Sequence, residues 1–365
     1  MNLSDESISR RIGSLAGRAA AFAGLAALGL AWIDRSDILV AYRFVVFAAL
    51  APPVGCLIFI LIHRMTGGQW ARGLRPFLLA GAWILPWVWL FALPIAFVPL
   101  FLGPPSPLQH SAEHGYESSP MMIIRSWIYA AIFFALSRAT AREVGQDGQP
   151  RQNPKPWVGP VGLIVLVFTL TLLADDWIES LDPGWHSTGF TLVWITGQAV
   201  AGLSLALMGG LASGRKPTEG KTAGRPLGID WGNLLLASLL SWCYVGFAQF
   251  LIIWAGNLPS ETSWFTSRMH GLWRLTFPLL AVFGLLVPFL LLLSRRFKAS
   301  SWGLGLVAVM LLASQELYTA WLILPAAGHL SLAGWLLVLA LLVAGGASFA
   351  NRYIANAREM MRLIP

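Results

Sequence analysis

Read for the spacing of apolar and polar positions, the chain divides into ten apolar segments, at about 14–33, 38–63, 76–101, 120–138, 157–175, 189–212, 229–255, 271–294, 302–325 and 331–351. Most reach the roughly 20 residues with which a helix crosses a bilayer core about 30 Å thick. Backbone N–H and C=O groups have no water to bond to at that depth, so helices are the elements expected and open strands are not. The pattern predicts an all-α, polytopic membrane protein of about ten transmembrane helices, one integral membrane domain over residues 1–365. Pro52, Pro53, Pro86, Pro94, Pro278 and Pro288 fall inside the segments and predict kinks. Gly202, Gly209, Gly210, Gly303, Gly345 and Gly346 predict places where helices come close together.

Charge then orients the pattern. With alternate gaps on opposite faces, residues 1–13, the 63–75, 139–156, 213–228 and 295–300 gaps and the tail 352–365 share one side. Of the 25 Lys and Arg residues, all but Arg35, Arg43, Arg125, Arg268 and Arg274 belong to that side. Basic loops stay in the cytoplasm, so both termini and the 139–156 and 213–228 loops are expected there, in a bacterial inner membrane. Ser9-Arg10-Arg11 has the look of a twin-arginine export signal, but Arg18 interrupts the apolar run behind it, and a retained signal-anchor helix is expected. Hydrophobic residues are 56% of the chain and charged residues 12%, against roughly 25% charged in soluble proteins. The net charge of +8 is spread over short loops instead of forming a patch interleaved with aromatics, which argues against nucleic acid as a partner.

Chemistry has few places to reside. Cys56 and Cys243 both lie inside apolar segments and read as small packing residues. Five of the six histidines (His110, His114, His186, His270 and His329) fall on the outer side, and His63 marks the inner end of the second segment. None is placed to clamp a haem between helices. No phosphate-binding loop, nucleophile elbow or zinc motif occurs, so no metal and no cofactor held by a ligand motif is expected.

Three constellations stand out against this background. Glu316 lies about 21 Å along its helix from Trp302 and about 14 Å from Pro325, close to the bilayer midplane. A bare carboxylate at that depth is costly, so Glu316 is expected to be protonated at rest or hydrogen-bonded to Gln315, Tyr318 or another helix, and it is a candidate proton carrier. Asp175, Asp176, Glu179, Asp182 and His186 crowd the outer end of the fifth segment, with no basic residue among them. Mutual repulsion would let some of these groups take up protons, which makes Asp175, Asp176, Asp182 and His186 candidates for an outer proton exit; a solvated turn at Asp182-Pro183-Gly184 is the plainer reading. Tyr244 and Gln249, among aromatics in the seventh segment, are candidate contacts for a quinone head group, and they suit an interhelical hydrogen bond equally well.

At these residues the chain resembles a known family. Asp176-Trp177-Ile178-Glu179-Ser180-Leu181-Asp182-Pro183-Gly184-Trp185 is similar to a signature of the polysulphide-reductase-type membrane subunits. Phe247-Ala248-Gln249-Phe250-Leu251-Ile252-Ile253-Trp254, with Asn257, Pro259 and Glu261, resembles one branch of that family, the second quinone-binding-type subunit of alternative complex III. His63-Arg64-Met65-Thr66-Gly67-Gly68-Gln69-Trp70 resembles it too, and the likeness spans about residues 15–350. Gly184 stands where the family usually has histidine, His186 where it has an aromatic, and Ala248 where serine is common.

The resemblance implies two stacked four-helix bundles with two peripheral helices. It also implies partner subunits carrying iron–sulfur clusters and haem c, quinol as the reductant, and a role in proton conduction or assembly instead of catalysis by this chain alone. A proton-coupled small-solute transporter is the alternative that Glu316 would also suit. A membrane acyltransferase is disfavoured, because no intramembrane histidine is available as base.

Overall fold

The computed structural model describes residues 35–71, 73–102, 119–141, 155–182, 185, 187–217, 221–222, 225–328 and 332–363. The first apolar segment, most of the outer 102–119 and basic 139–156 gaps, and His186 lie outside the described residues. Nine helices among the described residues are long and apolar enough to cross a membrane, matching the other nine segments.

Two bundles of four spans make up the body. The first comprises α1 (Arg35–Thr66), the broken pair α2 (Arg75–Ala82) and α3 (Leu85–Leu102), α4 (Ser119–Ala141) and α5 (Val158–Trp177). The second comprises α6 (Phe190–Ala212), α7 (Leu227–Gly256), a composite seventh span and α12 (Ser301–Ile323). Short α8 (Pro259–Ser267) follows α7. The composite span strings together α9 (Thr276–Leu279), a π-helical stretch Leu280–Leu286 and α10 (Val287–Leu293), and α11 (Arg295–Lys298) leads from it into α12. The last helix, α13 (Leu332–Leu363), lies outside both bundles against α1 and α2 and carries on through residues 352–363 of the expected tail. The 213–228 gap contains a two-residue antiparallel ladder, Lys221 opposite Pro226 and Thr222 opposite Arg225, away from membrane depth. The face bearing the 63–75, 213–228 and 295–300 gaps is called the basic end below, and the opposite face the acidic end.

The bundles meet where α1 crosses α6, and glycine permits the crossing. A Cβ on Gly55 would lie 1.8 Å from the Gln198 carbonyl oxygen, and one on Gly202 would lie 2.2 Å from the carbonyl carbon of Gly55. Backbone therefore touches backbone there, as small residues allow in lipid. The Cys56 thiol donates to the Gly202 carbonyl at 3.3 Å, so Cys56 is a buried packing residue of the same joint.

Proline sets the breaks. Pro86 has no N–H to offer Ala82, four residues earlier. The Ala82 carbonyl accepts instead from Ser137 Oγ of α4 at 2.9 Å, and the Ala80 carbonyl accepts from Asn356 of α13 at 3.3 Å. Side chains from two neighbouring helices thus satisfy the α2–α3 break, as a bilayer interior requires. Pro288 follows the π-helical stretch, and its ring excludes the regular bond to Gly284; the wider turn accommodates it, with the Val287 N–H bonding Val282. At that turn Gly284 lies against Ser314 of α12.

Candidate functional site

At the acidic end, arginines distant in sequence meet the carboxylates. Asp176, at the end of α5, is buried, and Arg125 of α4 grips it through Nε to Oδ2 at 2.9 Å and Nη2 to Oδ1 at 2.6 Å. Tyr129, one turn further along α4, donates to Oδ2 at 2.6 Å. Trp177 stacks on Trp89 of α3 beside this pair, with ring centroids 5.1 Å apart. A fork-to-fork guanidinium–carboxylate pair with a third donor engages both carboxylate oxygens of Asp176. Asp176 therefore ties α5 to α4.

Asp182 has a looser partner. Its Oδ2 lies 4.0 Å from Nη1 of Arg268, and its side chain is 31% exposed. Arg268 itself is buried: it donates to the Leu322 and Trp264 carbonyls at 3.2 and 3.1 Å and lies 3.2 Å from the centre of the Trp264 ring. Trp264 stacks on Trp185 at 4.3 Å. Burial pushes the Arg268 guanidinium down to about 10, with the Asp182 charge acting the other way, and it stays cationic at neutral pH. Arginines from α4 and from the segment after α8 thus face two members of the acidic segment. Asp175 is half-buried at the end of α5.

From this end a file of polar groups runs into the second bundle. Glu179, buried, accepts the Ser187 N–H at 3.0 Å, and Ser187 Oγ accepts from Gln249 Nε2 at 3.0 Å. Seven residues before Gln249, and so about 10 Å along the same face of α7, stands Trp242. Its indole nitrogen and Gln315 Oε1 of α12 both press on Gly197 of α6, where a Cβ would lie 3.3 and 2.5 Å from them. Tyr318 packs edge-on against Trp242 at 5.6 Å. Among the described residues, Trp242 Nε1, Gln315 Nε2, both amide atoms of Gln198 and Ser204 Oγ in the second bundle are buried with no hydrogen-bond partner, as are Trp83 Nε1 and Trp177 Nε1 in the first. Natural proteins seldom leave such groups unpaired. Gln198 is the member that reading the sequence for candidates overlooked, although a glutamine in the middle of an apolar span is itself a signal.

Glu316 stands beside this file without belonging to it. It is partly buried on α12 and has no hydrogen bond or ion pair to any described residue. Adjacent helical residues point about 100° apart, and Gln315 faces α6, so neither Gln315 nor Tyr318 reaches the carboxyl. Thr319, one turn on, donates its hydroxyl to the Gln315 carbonyl at 2.9 Å instead. The two quinone-contact candidates also part company. Gln249 is buried against Ser187, while Tyr244 is 75% exposed on the outside of α7. Five residues are about 140° around a helix, so both cannot line one slot. No three His, Cys, Asp or Glu side chains among the described residues come together as a metal site.

Helices, joint and polar interior define an all-α, multi-pass membrane protein with unpartnered polar atoms buried among its described residues. Among known proteins, no family model and no curated sequence matches the chain.

Proposed function

We propose that this chain is an integral membrane subunit of a quinol-oxidising respiratory complex of the alternative complex III type, in a bacterial inner membrane with both termini cytoplasmic. Its part is to anchor the assembly and to conduct protons through the second bundle, while quinol oxidation and electron transfer fall to partners bearing iron–sulfur clusters and haem c. The observation that carries the proton role is Glu316, a carboxyl near the midplane with no partner among the described residues, on the helix whose adjacent face turns Gln315 into the second bundle. The respiratory setting is supported by the three stretches at 63–70, 176–185 and 247–261 that resemble that family. A quinone held by Tyr244 and Gln249 together has no support from their placement on α7.

A proton-coupled small-solute transporter is the second reading, because an unpartnered intramembrane carboxyl serves it equally. Purification in mild detergent separates the two. Co-purifying haem- and iron–sulfur-bearing subunits are expected; a stable chain alone that accumulates a solute in vesicles against a proton gradient would replace the first reading with the second.

A further inference from the structure

On the lipid-facing side of the first bundle, α3 and α4 leave an open groove of about 660 Å³. Its walls are aromatic, with Trp83 and Trp87 on one side and Trp127 and Phe134 on the other, and Arg138 lies at the basic end. Trp127 and Arg138 are eleven residues apart on α4, so the groove runs about 16 Å along the helix. That length and lining fit an extended hydrocarbon chain.

What marks the groove off from an ordinary apolar surface is the charge at its rim. Arg138 lies over the Phe134 ring at 5.8 Å, and Arg352 of α13 lies over the Trp87 ring at 3.6 Å. Both guanidiniums are on exposed residues, and neither has a carboxylate partner among the described residues. They stack on rings that line the groove, so a single molecule with an apolar tail and an anionic head would meet both. Arg138 stands in the last turn of α4, and Arg352 opens the basic 352–365 stretch, on the side where the negative leaflet of a membrane attracts arginine.

The geometry points to a binding site for one anionic glycerophospholipid, an acyl chain lying between α3 and α4 and the phosphodiester bridging Arg138 and Arg352. Guanidinium suits this task because it offers paired donors to phosphate oxygens while its faces stay on the aromatic rings. The site does not depend on the respiratory reading, since it rests on residues of the first bundle and α13 alone.

Native mass spectrometry of the purified protein, in whatever assembly it holds, tests the site with phosphatidylglycerol and phosphatidylcholine of identical chains. Wild type is expected to retain phosphatidylglycerol in preference, and each of Arg138→Gln and Arg352→Gln to reduce that preference about fivefold. Trp127→Ala, at a half-exposed groove position, is expected to weaken retention of both lipids. Arg295→Gln with Arg296→Gln, exposed and basic but away from the groove, serves as the control and is expected to change nothing. Equal retention of the two lipids by wild type, an undiminished preference in the groove variants, or an equal loss in the control would overturn the site. So would a photo-cross-linker at position 127 that captures a partner protein in place of lipid.

Discussion

Asp176 and Glu316 are both carboxyls at or near membrane depth, and their surroundings give them opposite tasks. Asp176 is closed in by two bonds from Arg125 and one from Tyr129, and its side chain is only 3% exposed. Asp176→Asn would replace a charged acceptor held by Arg125 and Tyr129 in a buried site with a neutral amide, and breaking such a pair costs about 3 kcal/mol. A clear drop in the thermal midpoint in detergent is expected. Adding Arg125→Gln should cost less than the sum of the two single changes, because the two residues act as one pair.

Glu316→Gln keeps the shape and hydrogen-bonding capacity of the carboxyl but cannot titrate. It is expected to assemble with wild-type yield and midpoint while lowering proton movement coupled to quinol oxidation severalfold, measured in proteoliposomes. Unchanged proton release would make Glu316 a packing residue. Both residues were identifiable in the sequence, but their difference was not. The twelve residues 175–186 contain no arginine or lysine, and Arg125 comes from a helix 51 positions away.

Among the elements, the joint between the bundles has the least tolerance. Gly202→Ala puts a methyl group 2.2 Å from the backbone of Gly55, and no rotamer relieves a clash with backbone. The two helices must separate, which breaks the close packing on which association in lipid depends. Loss of most folded protein is expected, read as the monodisperse peak in fluorescence-detected size exclusion, whereas Gly345→Ala and Gly346→Ala, with open space around them, should leave that peak unchanged. Gly202, Gly345 and Gly346 look alike in the sequence, each a small residue in an apolar span. Which of them touches another helix depends on the rotation of each helix about its axis, and these spans carry apolar residues on nearly every face, so periodicity does not report it. The proline breaks were legible as positions. The donors that complete the α2–α3 break, Ser137 and Asn356, were not, because an exposed backbone carbonyl selects its partner by proximity in three dimensions.

For the molecule as a whole, the distribution of arginine and lysine predicts orientation. A cytoplasm-dependent reporter fused after Pro365, and one inserted between Arg296 and Phe297, should both be active, while a periplasm-dependent reporter at either place should be silent. Activity of the periplasmic format after Pro365 would break the even count of spans. Length and hydrophobicity alone determined that the chain is helical, that it is built of long apolar spans and where nine of them lie, because a bilayer leaves the backbone little other choice. Only the tertiary structure decided which spans form each bundle, that Arg125 and Arg268 meet the acidic segment, that Tyr244 and Gln249 diverge, and that the Trp242 indole and the Gln315 amide meet at Gly197. Insertion into the membrane depends on the summed hydrophobicity of each segment, which a sequence carries locally. Pairing between helices depends on the shape and polarity of single faces brought together across the fold.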